Sequence, residues 1–163
     1  MSDIMKSICA VEGVEAAGVK EGKYGLALIR ASGTGAAVFT KNRVRAPVVN
    51  LMAERTLRGK LDGVIVNSGC ANAYTGKRGF EDAKTMAQIG AEALGIDEMN
   101  CGVASTGVIG RYLDLDLIRR QTAAVAPNLA HSSAAEDAAA RAIMTTDTVP
   151  KHALVRADGF TVA

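Results

Sequence analysis

Three short polar segments hold the residue types that could do chemistry: Asn67-Ser68-Gly69-Cys70-Ala71-Asn72-Ala73, Ser105-Thr106-Gly107-Val108-Ile109-Gly110 and Thr145-Thr146-Asp147-Thr148. In the second, a threonine hydroxyl stands beside a glycine amide. Two adjacent donors of this kind can serve one oxygen, as a tetrahedral oxyanion requires, and glycine lets the main chain come close. A phosphate cradle is the rival reading, but Gly107-Val108-Ile109-Gly110 lacks the GxGxxG spacing and no Walker lysine follows it. The first segment offers main-chain and asparagine amides to a small ligand. The third gathers three hydroxyls and a carboxylate suited to the polar head of an amino acid. Each also has a plain reading as local structure. These are a strand-to-helix turn whose asparagines bond nearby backbone, a strand exit, and a helix stop in which Thr and Asp bond terminal backbone groups.

Other catalytic constellations do not assemble. His131 and His152 are the only histidines, and neither lies in a motif that would pair a nucleophile with a base, so both read as surface or hydrogen-bonded core residues. No His/Asp/Glu group has ligand spacing, so no metal is expected. Cys9, Cys70 and Cys101 are odd in number and outside any CxxC pattern, and they read as buried thiols of a reducing compartment.

The elements that must position these segments follow from hydrophobic periodicity. Tyr24–Ala31 and Ala36–Thr40 read as two strands of an antiparallel hairpin closed by Ser32-Gly33-Thr34-Gly35. Pro47 opens a short helix that stops at Gly59. Gly63–Val66 is an apolar strand leading into the first polar segment, and the apolar spacing from Glu81 to Gly95 predicts a helix after it. Gly102–Ala104 is a short strand leading into the second segment. Helices are predicted from about Asp114 to Ala126, ended by Pro127, and from Ser133, where Ser133-Ala134-Ala135-Glu136 fits a capping box. A strand–turn–strand over His152–Arg156 and Gly159–Val162 closes the chain. Helices between strands make this an α/β or α+β domain, with the sheet order open.

Composition narrows the classes. At 163 residues with 48% hydrophobic and 22% charged residues, the chain should fold as one domain. A net charge of +2, with three Tyr, three Phe and no Trp, gives neither the basic field nor the stacking platforms of a nucleic-acid binder. No apolar run approaches the ~20 residues of a membrane span, and the first residues lack the apolar stretch of a secretory signal, so a cytoplasmic protein is expected.

The ordered motifs VNSGCANAYTG (66–76), STGVIG (105–110) and AIMTTDTVPK (142–151) resemble the N-terminal α chain of the ornithine acetyltransferase family, also called glutamate N-acetyltransferase or ArgJ. The resemblance runs from about Val14 to Ala163. It implies helices layered on β-sheet as part of a DmpA/ArgJ-like αββα sandwich completed by a β chain. It also implies a precursor that cleaves itself ahead of a threonine. The new N-terminal threonine of the β chain is then the nucleophile, with its own α-amino group as base. It would take acetyl from N2-acetyl-L-ornithine and pass it to L-glutamate in arginine biosynthesis, in two half-reactions without a cofactor. By the same resemblance Thr106 and Gly107 match the oxyanion-hole pair, Thr145 matches a substrate-binding position, and the assembly is an α2β2 heterotetramer. Cys70 stands where the family commonly has asparagine. The sequence ends at Ala163, short of the family's lysine- and glycine-rich run before the cleavage point, so residues 1–163 are expected to form an α chain active only with its β chain. Whether acetyl-CoA also serves as donor is left open by these residues. The alternative of another class is a noncatalytic amino-acid-binding or interaction domain using the same segments, and a nucleotide-binding domain on the glycine loops is a third.

Overall fold

Runs of β-type residues separated by tight turns pair into one mixed sheet. The computed structural model describes residues 4–163. Strands β1 (Glu15–Glu21), β2 (Tyr24–Thr34), β3 (Lys60–Cys70) and β4 (Cys101–Val108) lie side by side in that order. The first two pairings are antiparallel and β3–β4 is parallel. A parallel pair needs a crossover, and helix α2 (Gly76–Leu94) supplies it between β3 and β4.

Side chains alternate between the two faces of a strand, and this period of two sorts the core. Ala17, Leu26, Leu28 and Ile65 point to one face, where they pack with α1 (Pro47–Arg55), α2 and α3 (Leu115–Val125). Met86 of α2 has no exposed surface, and burial of such a side chain contributes roughly 1.5–3 kcal/mol. Ala16, Ala27 and Val66 point to the other face and meet Ala139 and Ala142 of α4 (Ser133–Ile143).

Small residues let α4 lie close on β1 and β2. A Cβ on Gly18 would stand 2.5 Å from the Ala138 carbonyl oxygen, and one on Gly25 would collide with the Ala142 carbonyl oxygen. At its first turn, α4 buries Glu136, only 3% exposed. That carboxylate accepts main-chain N–H bonds from Lys6 at 2.5 Å, Ser7 at 3.1 Å and Cys9 at 3.1 Å, which ties the N-terminal segment to the helix. Cys9, Cys70 and Cys101 are all buried, and burial pushes the Cys101 thiol up to about 11.

The structure corrects two local expectations. The strand paired with Tyr24–Ala31 is Glu15–Glu21, not Ala36–Thr40: both edges of β2 are occupied, by β1 and β3, and Val38 is fully exposed. The cap of α4 is Ser132, whose hydroxyl accepts from the Ala135 amide, and Glu136 serves the N-terminal segment instead of the cap. The helices predicted at Pro47, before Gly95, after Asp114 and through Ala142 all form. The last two strands are an exposed hairpin, β5 (Val155–Ala157) and β6 (Phe160–Val162). No helix among the described residues is long and apolar enough to cross a membrane.

Candidate active site

Thr106 and Gly107 sit on β4 itself, at its carboxyl end, and not in a loop after it. Register places Lys20 of β1 opposite Gly25 of β2, Gly25 opposite Ser68 of β3, and Ser68 opposite Thr106. These four residues form one row across the sheet and share a face, the one covered by α4. One step further, Gly69 lies opposite Gly107.

Gly107 has φ +126°, a conformation that favours glycine, and a Cβ there would come within 2.7 Å of Gly69 Cα and the Cys70 nitrogen. Main chain thus meets main chain where the two parallel strands end. Open α/β sheets commonly bind ligands outside the carboxyl ends of their strands, because the chain splays there into loops.

Helix α4 runs over this sheet and stops at Ile143, and Met144, Thr145 and Thr146 follow directly. Thr145 therefore faces the strand ends although it is remote from them in sequence. A cavity of about 430 Å³ is lined by Lys20, Lys23, Gly69, Thr106, Gly107 and Thr145, among others. All three residues singled out as site residues line this one space.

The asparagines of the first polar segment do not. Asn67 Nδ2 donates to the Cys70 carbonyl at 2.9 Å. Asn72 is fully buried, donates to the Gly79 carbonyl at 2.8 Å and accepts from Thr75 Oγ1 at 2.8 Å. They brace the turn into α2, as the plain reading of that segment has it, and Gly69 alone of the segment reaches the cavity. Cys70 packs its Sγ against the Arg111 and Tyr112 carbonyls. Both histidines also lie elsewhere: His131 Nδ1 bonds the Val14 carbonyl at 2.8 Å, and His152 stands 3.6 Å from Asp137.

Sequence reasoning missed Lys20, near the end of β1, and Lys23, in the β1–β2 turn, which bring positive charge to the cavity. The signal was present in Lys20-Glu21-Gly22-Lys23, two lysines gathered about a turn glycine. Lys20 Nζ donates to Ser68 Oγ at 2.8 Å and to the Met144 carbonyl at 2.5 Å. Burial lowers its ammonium below the ordinary lysine range.

Fold and site together define an α+β domain with a polar, cationic cleft at the carboxyl ends of a parallel strand pair. The chain belongs to the ArgJ family, whose model matches residues 11–163. It is 50% identical to glutamate N-acetyltransferase of Methanothermobacter thermautotrophicus over 153 residues, 93% of this chain and 38% of that protein. It is 48% identical to the arginine biosynthesis bifunctional protein ArgJ of Archaeoglobus fulgidus over 146 residues, 90% of this chain and 38% of that one. The crystal structure of ArgJ from Bacillus halodurans superposes with TM-score 0.85 at 38% identity, covering 96% of this chain and 85% of that chain. Ornithine acetyltransferase of Mycobacterium tuberculosis, solved in complex with ornithine, superposes with TM-score 0.83 at 37% identity, covering 88% of this chain and 81% of that chain. The chain spans about two fifths of the length of the curated relatives it matches.

Proposed function

We propose that this chain is the α part of a glutamate N-acetyltransferase and supplies the oxyanion-binding and part of the amino-acid-binding groups for acetyl transfer. The observation that carries this reading is the convergence of Thr106, Gly107 and Thr145 on one cavity from the end of β4 and the end of α4.

In the first half-reaction a threonine hydroxyl from the β chain attacks the acetyl carbonyl of N2-acetyl-L-ornithine. The C–O bond forms, the carbonyl oxygen takes the negative charge, and the Thr106 hydroxyl and Gly107 amide donate to it. Collapse breaks the C–N bond, and ornithine leaves with the proton that the attacking hydroxyl gave up. L-Glutamate then attacks the acetyl-threonine by the same path and leaves as N-acetylglutamate. Thr145 offers its hydroxyl to the amino-acid portion, and Lys23 at the rim favours a ligand carrying a carboxylate. No cofactor takes part in this scheme. The assembly is an α2β2 heterotetramer in which residues 1–163 form one domain of the α chain.

The test is Thr106→Ala in the complete assembly, with precursor cleavage followed separately by mass. The expected result is acetyl transfer slowed by ~10²–10³ fold with cleavage complete, the loss typical of one oxyanion donor. Unchanged turnover removes Thr106 from the mechanism.

A further inference from the structure

We propose that Lys20 and Ser68 are positioning residues for this site, a two-link strap that crosses the sheet and fixes where the Thr145 turn stands against Thr106. The inference rests on the function proposed above for the cavity, but its structural half stands on hydrogen bonds alone.

The last carbonyls of a helix have no partner within the helix and carry its negative dipole end. In α4 these carbonyls are met from below by the sheet. Ser68 Oγ donates to the Ala142 carbonyl at 2.6 Å. Lys20 Nζ donates to Ser68 Oγ at 2.8 Å, to the Met144 carbonyl at 2.5 Å and to the Ala142 carbonyl at 3.4 Å. An ammonium has three donors, and these three acceptors use them all. Lys20 therefore acts on the site through the main chain that carries Thr145, the residue directly after Met144.

The row across the sheet explains why these two residues do it. Lys20, Gly25 and Ser68 stand side by side in register, and the Lys20 stem lies across Gly25, where a Cβ would be 2.9 Å from Lys20 Cδ. The absence of a side chain at Gly25 thus serves two purposes: it admits the Ala142 carbonyl and opens a lane for the lysine. The next residue in the row is Thr106. The strap and the proposed oxyanion donor are fixed to the same transverse line of the sheet, so strand twist or breathing moves both sides of the cavity together.

The test compares Lys20→Met, which keeps most of the stem and removes the ammonium, with Lys20→Arg, which restores a cation. In this chain, backbone order parameters at Thr145 and Thr146 are expected to fall from about 0.85 to below about 0.6 in Lys20→Met, and to recover in Lys20→Arg, with α2 unchanged. Ser68→Ala should show the same local loss. In the complete assembly, Lys20→Met should raise KM for the acetyl donor about tenfold, because a displaced Thr145 loses its ground-state contact with the donor, with kcat changed less than twofold. Order parameters that stay high at Thr145, or that fall equally throughout the chain, overturn the strap, as does an unchanged KM beside intact turnover. An assembly that transfers no acetyl even with Lys20 in place refutes the proposed function, and the order parameters then decide the strap by themselves.

Discussion

Replacing Gly107 by alanine tests the close approach of β3 and β4 that forms one wall of the cavity. Two costs add. A non-glycine residue held at φ +126° is strained by about 1–3 kcal/mol. The new methyl also comes within 2.7 Å of Gly69 Cα and the Cys70 nitrogen. Both are backbone atoms that cannot swing aside as a side-chain tip can, so overpacking adds about 1–3 kcal/mol. The sum is roughly 2–6 kcal/mol. In a chain of this length that lowers the melting temperature by about 5–20 °C. Gly110→Ala is the control: φ is +79° but nothing lies within 4 Å of the added Cβ. It should cost only the conformational part, about 1–2 kcal/mol. Urea unfolding followed by circular dichroism, with m compared among the variants, measures both. Equal losses from the two substitutions would refute the close approach.

Three further substitutions probe what holds the opposite end of the sheet. The hydrogen bond from Ser32, with help from Lys60 and Asn100, holds the Asp62 carboxyl below its ordinary range. A depressed carboxyl contributes stability that is present above its unfolded value of ~3.9 and is lost as pH falls through the lower folded one. Asp62→Asn should therefore unfold at lower urea than the parent at pH 7, with the gap closing at acid pH, and a gap independent of pH would count against the pairing. Arg55, 1% exposed, donates to the Glu98 carbonyl and, at 2.7 Å, to the Cys101 carbonyl. Arg55→Met strands both and should cost roughly 2–4 kcal/mol in the same urea assay. Glu98→Gln, which touches the partly exposed end of the pair, should cost under about 1 kcal/mol, and similar losses from the two would contradict this division.

The legible parts of this fold were those whose signal is local. Pro47 and Gly59 bracket a helix by their own backbone limits, and the apolar face of α2 recurs at helical spacing because it lies on one sheet. β1 was missed because Ala16-Ala17-Gly18 carries none of the bulk that marks a strand, and that lack of bulk is what the overlying α4 requires. Ala36–Thr40 has the composition of a strand, but pairing depends on which edges are free, and that is decided by β1 and β3 from elsewhere in the chain. The capping box failed by one residue since Glu136 is engaged by the distant amides of Lys6, Ser7 and Cys9. In the cavity, Thr106, Gly107 and Thr145 were readable as short motifs of unusual chemistry. Lys20 was not, because its significance lies in a cross-sheet register that no window of sequence displays.

The grip of Glu136 on the first described residues gives the far end of the chain leverage over the cavity. α4 spans eleven residues from Ser133 to Ile143, roughly 16 Å, with the N-terminal tether at one end and the Thr145 turn at the other. Trimming the chain before Val11 would leave an anion stranded under the helix with its three amides gone. The helix would have to tilt or hydrate to relieve it, and the pocket at its opposite tip would loosen in consequence. A residue with no part in the chemistry would thus govern how well the pocket keeps its shape.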